Sequence, residues 1–345
     1  MYPRMQFVST APSQARSEDS YHYGRFEQAI AFPNIGDTGF GAAFRLKEWH
    51  YIAVCAPNHF FACAIVRLGY ATKFFAYLVD LTGPPKTVDL SVLRPLSWGV
   101  SFAKSSVEGQ TRWKGRKGSL CLTYVKTPVP GWEVDVDLVL EAVKLQGKFH
   151  IADATALALL FQLPTGKPAY THKAAGLEVS GKLTANGKPI DLSQAVASMD
   201  WTRSVAQRRT EWRWSSVQGL TPQGVRLGLN LSALIYDDEA GNSQENALWL
   251  NGEILPLGGV EFILPDEPRK EPWLIQSRSP GFPEIHLEFL PIGWREELLN
   301  LGFIRSEFIQ PYGFYSGRLH VCEDKSYYVP IDGMFGVAEI QNSLW

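Results

Sequence analysis

Short apolar runs separated by turn residues follow one another along nearly the whole chain. Residues 49–81 read WHYIAVCAPNHFFACAIVRLGYATKFFAYLVDL, in which breaks at Pro, Asn, Gly or charged residues divide stretches rich in Val, Leu, Tyr and Phe. Runs of this length and composition are typical of β-strands, since helices show apolar residues three and four positions apart. The pattern therefore predicts a protein built mainly of consecutive strands.

Two Asn-Gly pairs mark sharp turns between predicted strands. Asn186-Gly187 lies within SGKLTANGKPIDL, and Asn251-Gly252 lies within ENALWLNGEILPLGGVEFIL. Asn-Gly between apolar runs is the strongest short-range signal for a β-hairpin, because both residues tolerate the positive φ that a two-residue turn requires. The recurrence of this unit is consistent with a duplicated β architecture.

Signals for helices are few. The segment WREELLNLGFI, beginning at Trp294, predicts one short helix, whereas DATALALLF, beginning at Asp153, fits a helix or a strand. Many short strands with little helix predict an all-β fold of barrels or curved β-sandwiches. Because 345 residues exceed one small core, we expect two such units, with an N-terminal arm at 1–20, a first β domain at 21–205 and a second at 206–345.

Composition and charge narrow the classes of function. The chain is 45% hydrophobic and 20% charged, which indicates a globular protein, and its formal net charge of −2 gives no reason to expect nucleic acid as a partner. The N-terminus lacks the apolar core of a signal peptide, and no apolar run is long enough to span a bilayer. We therefore expect a cytoplasmic protein, a monomer or homodimer, without stable membrane insertion.

The cysteine and aromatic residues also indicate the compartment and the partner of the protein. Four scattered cysteines form no metal-binding spacing, so we expect free thiols in a reducing compartment: Cys55, Cys63, Cys121 and Cys322. Aromatic residues make up 12% of the chain, and large aromatic side chains fill a core or line a binding cavity. A small lipophilic molecule is the partner that this composition favours.

The stretch MDWTRSVAQRRTEWRW, residues 199–214, concentrates charged and indole side chains. If RTEWRW forms a strand, Trp212 and Trp214 share one face, while Glu211 and Arg213 share the other. We expect the indole face to line a cavity and the charged face to meet solvent or a second layer. Nucleic-acid binding also uses arginine with aromatic residues, but the chain lacks a broad positive excess.

Asp200 is the candidate acid of this stretch. Adding water to an isolated double bond requires a strong general acid, and burial raises the pKa of a carboxyl group enough to keep it protonated. Trp201 and the two tryptophans of RTEWRW would exclude water and stabilise cationic charge through their ring faces. The alternative is that Asp200 pairs with Arg203, or with an arginine on a neighbouring strand, and holds a loop in place.

Two further polar stretches each allow two interpretations. Within residues 23–44, the side chains of Glu27, Asn34 and Asp37 either line the polar end of a cavity or belong to glycine-rich turns at a barrel rim. The glycines there do not match a phosphate-binding loop. The acidic loop 237–245 is either a calcium site or a solvated hairpin loop.

Further pocket candidates follow that acidic loop and recur near the C-terminus. Asn246, just ahead of an apolar strand, is expected to face inward as a hydrogen-bonding group. The segment EFIQPYGFYSG carries Glu307, Gln310, Tyr312 and Tyr315, which suit either a mostly apolar pocket with a few polar groups or ordinary β packing. The histidines show no metal-ligand spacing and the chain has no serine-hydrolase elbow, so we expect no metal and no cofactor.

Several blocks together resemble the DUF2804 family of uncharacterised bacterial and fungal proteins. The resemblance runs from about residue 20 to the C-terminus, and its most specific element is the DWTR start at Asp200 followed by the WxW of Trp212 and Trp214. That family is similar, more distantly, to carotenoid 1,2-hydratases and AttH-like proteins, which are built as two lipocalin-like β-barrels in tandem. In the hydratases a histidine follows the acid, whereas here the next residue is Trp201.

The resemblance implies an all-β fold of two tandem lipocalin-like barrels or curved sandwiches with few short helices. It also implies a cofactor-independent hydratase, lyase or cyclase that acts on a polyene, terpenoid or polyketide-like molecule. The expected catalytic residues are Asp200, Glu307 and Tyr312. The expected ligand-binding residues are Trp201, Arg203, Trp212, Trp214, Asn246, Gln310 and Tyr315. The alternatives are a non-catalytic carrier of a lipophilic ligand and a structural protein with filled barrels.

Overall fold

A computed structural model describes residues 7–18, 20–36, 41–278, 283–300, 305–321 and 327–344. Strands dominate the described residues, and the sole helix among them is the single turn α1 (Ala42–Arg45). The prediction of an all-β fold with few short helices is therefore confirmed. Contacts between Cα atoms divide the chain into two compact units, Val8–Ala206 and a second that comprises Gln207–Trp345, and each is described separately below.

The N-terminal unit contains sixteen described strands. They are β1 (Arg16–Ser17), β2 (Ser20–Tyr21), β3 (Gly24–Phe26), β4 (Leu46–Ala56), β5 (His59–Arg67), β6 (Ala71–Asp80), β7 (Lys86–Pro95), β8 (Val100–Ser101), β9 (Gln110–Gly115), β10 (Gly118–Val125), β11 (Gly131–Leu140), β12 (Val143–Ala152), β13 (Leu157–Gln162), β14 (Pro168–Ala185), β15 (Lys188–Ile190) and β16 (Val196–Val205).

Most of these strands form one antiparallel sheet in the order β7-β6-β5-β4-β16-β14-β12-β11-β10-β9-β8. The sheet curls, so strands distant in this order face one another across an apolar core, and the Phe74 ring on β6 stacks on the Trp113 indole on β9 at 3.9 Å. The first part of β14 pairs with β13 and β16, and its later part pairs with β12 and β15. A bulge between Ala175 and Leu177 lies just before this change of partner, which comes after Glu178. A bulge bends a strand.

The C-terminal unit contains nine described strands in one antiparallel sheet, in the order β20-β19-β18-β17-β25-β24-β23-β22-β21. Its core faces inward from the concave side and is built from leucine, isoleucine, valine and aromatic side chains. The strands are β17 (Arg209–Leu220), β18 (Arg226–Ala233), β19 (Ala247–Leu250), β20 (Glu253–Pro256), β21 (Val260–Ile263), β22 (Trp273–Ser277), β23 (Glu284–Asn300), β24 (Arg305–His320) and β25 (Tyr328–Leu344).

Both predicted hairpin turns are present. Asn186 and Gly187 have φ values of 50° and 77° and join β14 to β15, while Asn251 and Gly252 have values of 50° and 90° and join β19 to β20. Two successive residues at positive φ define the turn whose twist matches that of the flanking strands. The sequence signal was sufficient here because these turns depend on local backbone geometry alone.

The helix predicted from Trp294 is wrong. Residues 294–300 belong to β23, and each pairs with a residue of β24, from Trp294 opposite Pro311 to Asn300 opposite Arg305. Leu298 is 69% exposed and Trp294 is 41% exposed, so their spacing does not mark a buried helical face. The ambiguous segment at Asp153 contains strand β13.

The boundary between the two compact units lies after Ala206. Part of the predicted arm packs on the N-terminal unit, because Ala15 is fully buried and Val8 forms a bridge with Phe26. Cys55, Cys63 and Cys121 are free thiols, and Cys322 lies outside the described residues. Within the described residues, no helix is long and apolar enough to cross a membrane.

The long hairpin of β23 and β24 is expected to tolerate no side chain at Gly313. A Cβ atom there would collide with the carbonyl oxygen of Leu290 on the paired strand, whereas a Cβ at Gly258 would meet nothing within 4 Å. We expect Gly313→Ala to lower the free energy of unfolding by about 2–3 kcal/mol. Urea unfolding measures this, and Gly258→Ala is the matched control with an expected change below about 0.5 kcal/mol. Equal stabilities of the two variants would contradict the assigned pairing.

Candidate functional site

A cavity of about 610 Å³ lies at one end of the curled sheet of the N-terminal unit. This volume is within the range of small-molecule sites, roughly 300–1,000 Å³. The polar walls include Glu27, Glu108, Tyr124, Lys126, Asp153 and His172, and the small apolar walls include Ala29, Ala31, Ala154 and Ala156.

A tyrosine–carboxylate pair forms one wall of the cavity. Tyr124 is near the end of β10 and Asp153 directly follows β12, and the Tyr124 hydroxyl donates to Asp153 Oδ2 at 2.7 Å. Burial, and then the negative charge of Asp153, raise the pKa of Tyr124 far above its usual range. The Asp153 Oδ1 atom accepts from the backbone N–H of Ala154. The phenol is thus held as a hydrogen-bonding group and not as a phenolate.

A buried histidine forms another wall. His172 is on β14 and is fully buried, and its Nδ1 lies 2.9 Å from the Ser106 hydroxyl. The Trp132 indole packs against the imidazole with ring centroids 5.7 Å apart, and it also donates from Nε1 to the Ser106 carbonyl. Burial lowers the pKa of His172, although the charges of Asp153 and Asp200 oppose this shift. The imidazole is therefore neutral near pH 7, oriented by Ser106 and Trp132.

His172 belongs to a row of ring side chains on the inner face of the sheet. The register places His172 of β14 opposite Trp201 of β16, and Trp201 opposite His50 of β4. Residues directly opposite one another share a face and have Cβ atoms about 5 Å apart. Burial, and then the positive charge of protonated His172, lower the pKa of His50 to about 3. Three nitrogen-containing rings therefore lie side by side in the interior of this unit.

Asp200 lies on the opposite face of β16 from Trp201, as strand alternation requires. Its Oδ2 lies 2.9 Å from the Lys173 ammonium and accepts from Trp49 Nε1 at 3.2 Å, and its Oδ1 accepts from the Thr202 hydroxyl at 2.8 Å. The residue is 7% exposed. The pairing partner that the alternative interpretation required is present, but it is Lys173 and not an arginine.

Arg203 is two residues from Trp201 and shares its inner face. Its Nε lies 3.4 Å from a carboxylate oxygen of Glu48, which also binds the Arg67 guanidinium and is 1% exposed. Burial, and then the charge of Arg67, lower the pKa of Arg203, while Glu48 opposes this shift. The carboxylate of Glu48 thus joins three neighbouring strands at the rim of the unit.

The two tryptophans of RTEWRW lie together on one face of β17, as alternation predicts. Trp212 donates from Nε1 to Glu339 at 3.0 Å and Trp214 donates from Nε1 to Asn230 at 2.8 Å. The face toward the hydrophobic core of the C-terminal unit, however, is that of Val217, which shares the side of the charged residues. The indoles therefore lie on the face opposite that core, and their expected place in the wall of a ligand site stays a prediction; alternation fixes which residues share a face but not which face turns inward.

The remaining predicted residues of the C-terminal unit divide between the two faces of β24. Gln310 is buried and donates to Glu339 at 2.6 Å, on the same face as Tyr312. Glu307 is exposed and lies on the other face. Tyr315 is in the core, stacks on Phe289, and its hydroxyl lies 2.8 Å from Ser215. The predicted set of Glu307 with both tyrosines therefore does not converge within this unit.

The other polar candidates serve local structure or the cavity. Asn246 is fully buried, accepts from the Ser232 N–H and donates to the Gly258 carbonyl. Glu27 lines the cavity, whereas Asn34 hydrogen bonds with Arg16 and Gln14. Asp37 lies outside the described residues.

The acidic loop is stabilised by its own backbone. Asp238 Oδ1 accepts from the N–H groups of Ala240 and Asn242, and its Oδ2 accepts from Gln244. Burial raises the pKa of Asp237 to about 6. Within the described part of the chain, no three histidine, cysteine or carboxylate side chains are placed to hold a metal ion.

Sequence reasoning named Glu27 but missed the other polar residues of the cavity. Tyr124, Asp153 and His172 are on different strands and loops, and none belongs to a recognisable short motif. The one available signal was the strand pattern around residues 168–178, which would have predicted the facing direction of His172 once the register was known.

The chain belongs to the DUF2804 family, described as a domain of unknown function, whose pattern matches residues 27–345. No curated protein matches the sequence. The crystal structure of CghA with Sch210972 is similar, with a TM-score of 0.54 at 12% identity, over 86% of this chain and 88% of that one.

Two other solved structures show weaker likeness. Kievitone hydratase from Nectria haematococca has a TM-score of 0.46 at 16% identity, over 90% of this chain and 98% of that one. An AttH protein from Nitrosomonas europaea has a TM-score of 0.43 at 11% identity, over 87% and 92%. At 12% identity, the comparison with CghA establishes similarity of fold alone.

The ion pair of Asp200 with Lys173 is expected to contribute to stability. Asp200→Asn leaves a buried ammonium without its carboxylate, which typically costs about 3 kcal/mol or more. Adding Lys173→Met removes the second charge, so the double variant is expected to recover most of that loss. Urea unfolding of the two variants and the wild type checks this. An Asp200→Asn variant as stable as the wild type would show that the ion pair does not stabilise the protein.

The buried histidine His50 is expected to make stability fall in acid. Its folded pKa, about 3, lies below the usual 6.5, so the unfolded chain binds a proton first as pH falls below 6.5. The free energy of unfolding should then drop by about 1.4 kcal/mol per pH unit from this group alone. His50→Leu removes that dependence, which chemical unfolding between pH 6.5 and pH 4 measures. If the free energy of unfolding changed with pH equally in His50→Leu and in the wild type, the burial of His50 would be contradicted.

Proposed function

We propose that this protein is a lyase-type enzyme that adds water to, or removes water from, a small, partly apolar molecule bound in the cavity of the N-terminal unit. The observation that carries the proposal is the combination within one cavity of a neutral histidine and a hydrogen-bonded Tyr124–Asp153 pair. Enzymes that move protons at neutral pH place such groups together in partly enclosed sites.

His172 is the proposed proton carrier. In the direction of dehydration, the neutral imidazole removes a proton from a carbon beside the carbon that bears the hydroxyl. The imidazolium then returns that proton to the departing hydroxyl, so that water leaves and a double bond forms. Hydration runs through the same steps in reverse, and neither direction consumes or releases a net proton. A neutral imidazole is suited to this exchange because it both accepts and donates near pH 7.

The Tyr124–Asp153 pair is proposed to hold the oxygen of the substrate. Tyr124 stays protonated throughout the physiological range, since its pKa is raised by burial and by Asp153. Because its proton is donated to Asp153, its oxygen accepts a hydrogen bond from the substrate hydroxyl. The alanine side chains of the cavity wall supply the apolar contacts. These features fit a substrate with an apolar body and an oxygen function, which agrees with the lipophilic class that the aromatic composition favours.

This proposal assigns proton transfer to His172 and not to Asp200. Asp200 faces away from Trp201 and pairs with the Lys173 ammonium, so it is a stabilising carboxylate more than a free acid. A ring-closing reaction of the same substrate class would use the same groups. A carrier without chemistry is the competing function, favoured by the size of the cavity alone.

Native mass spectrometry of the purified full chain is the first test, because a bound molecule reveals its own mass. The second is incubation of that molecule with the protein, since hydration or dehydration changes its mass by one water. A molecule that binds and never changes would establish the carrier. Ala31→Trp fills part of the cavity and is expected to abolish co-purification, whereas retention in that variant would place the ligand elsewhere.

Variants of the proposed groups separate binding from turnover. His172→Gln should lower kcat by about 10²–10⁴-fold while the bound molecule is still found, because general acid–base catalysis contributes that much. Tyr124→Phe should raise KM and lower kcat, since it removes the oxygen that accepts from the substrate hydroxyl. His286→Gln changes an exposed imidazole in the C-terminal unit and is the matched control. Unchanged turnover in His172→Gln would refute the assignment.

A further inference from the structure

The walls of the cavity carry more negative than positive charge. Three carboxylates line it, those of Glu27, Glu108 and Asp153, whereas Lys126 supplies the single ammonium among the described lining residues. Charges that line a cleft act together on a guest, because the surrounding protein screens them less than bulk water does. The cavity therefore attracts a positively charged group more strongly than a neutral or a negatively charged one.

Exposure to solvent divides these charged groups. The Lys126 ammonium and the Glu108 carboxylate both belong to exposed residues, whereas Glu27 and Asp153 are half-buried. Solvent and salt screen exposed charges, so the effects of Lys126 and Glu108 on a bound molecule are weak and of opposite sign. The Asp153 carboxylate already accepts from the Tyr124 hydroxyl. Glu27 is therefore the carboxylate that remains to meet a cationic group inside the cavity.

The backbone of Glu27 is fixed on both sides, although its carboxylate is not. Glu27 directly follows β3, its N–H donates to the Val8 carbonyl, and its carbonyl accepts from the Ala156 N–H. Within the described part of the chain, its carboxylate has no hydrogen bond and no ion pair. A carboxylate that is partly withdrawn from water without a partner is costly. This position therefore suits a ligand that brings the opposite charge.

A second polar group of the same cavity lacks a partner. His172 lines the cavity and is fully buried, and its Nδ1 contacts the Ser106 hydroxyl. Its Nε2, however, has no hydrogen-bond partner among the residues that the structure describes. Buried ring nitrogens are nearly always hydrogen-bonded in folded proteins. This observation does not depend on the carboxylates and it also indicates a bound molecule, for which the cavity of about 610 Å³ provides the room.

We infer that the molecule bound in the cavity carries a protonated amine and that Glu27 binds this group. The inference rests on the proposed function and names its substrate class: an amino alcohol with an apolar body, or the unsaturated amine that loss of water leaves. The Glu27 carboxylate accepts hydrogen bonds from the ammonium. The alanine walls contact the apolar body, and the Tyr124–Asp153 pair holds the hydroxyl. Glu27 is a binding residue and takes no part in proton transfer.

Three probes with one ring system test the charge of the ligand: 2-naphthylmethylamine, which is protonated at pH 7, the neutral 2-naphthylmethanol and the anionic 2-naphthoate. Isothermal titration of the full chain at low ionic strength measures their affinities. We expect the amine to bind about tenfold more tightly than the alcohol, because hydrogen bonds between charged groups are stronger than those between neutral ones. The preference should shrink as salt is added, and 2-naphthoate should bind most weakly.

Glu27→Gln keeps the shape of the side chain and removes its charge. We expect its preference for the amine over the alcohol to fall to about threefold or less, with the affinity for the alcohol nearly unchanged. Glu133→Gln is the matched control, because it removes an exposed carboxylate of β11 that does not line the cavity, and it should keep the full preference. Urea unfolding checks that both variants are folded. An unchanged preference in folded Glu27→Gln would overturn the assignment of Glu27.

The outcomes separate this inference from the proposed function. Equal affinity for the three probes, lost in Ala31→Trp, would overturn the inference and leave the cavity as a binding site for a neutral molecule. Tighter binding of 2-naphthoate would also overturn it, since the cavity would then prefer an anion. No binding of any probe would count against both. The turnover of His172→Gln tests the proton transfer separately, because that variant keeps every carboxylate of the cavity.

Discussion

The register of β4, β16 and β14 is the constraint on which the candidate site depends. Successive side chains of a strand point to opposite faces, so the pairing that brings His172, Trp201 and His50 into one interior row also places Asp200 on the other side. A shift of one residue would exchange the two faces. Lys173, opposite Asp200 in the same register, then supplies the ion partner of that carboxylate.

The interior of the N-terminal unit is closely packed and also contains polar side chains. The burial that comes with close packing sets the protonation states of these side chains. Burial keeps the imidazoles neutral and the Tyr124 phenol protonated, because charge is costly away from water. Ser106 and Trp132 orient the His172 imidazole through their contacts with it and with each other. The buried carboxylate of Glu48, in turn, is satisfied by the guanidinium groups of Arg203 and Arg67. The same burial that stabilises the fold therefore prepares the groups of the cavity.

Local signals predicted the parts of this protein that depend on neighbouring residues. The strand-rich pattern and the Asn-Gly turns at 186–187 and 251–252 are present as expected, since a two-residue turn is decided by the φ values its residues tolerate. The helix expected at Trp294 failed because pairing with β24 outweighs a weak helical spacing. Propensity yields to tertiary pairing where the local preference is small.

The sequence by itself determined the all-β class, the tight hairpins, the family and the grouping of side chains that alternate along a strand, such as Trp212 with Trp214. Only the tertiary structure decided which face of each strand turns inward, and so it separated Asp200 from Trp201. It also assembled Tyr124, Asp153 and His172 from distant strands. The physical reason is that alternation shows which residues share a face but not which of the two faces is buried. The long-range register and the curvature of the sheet decide which face is buried, and neither is encoded in a single segment.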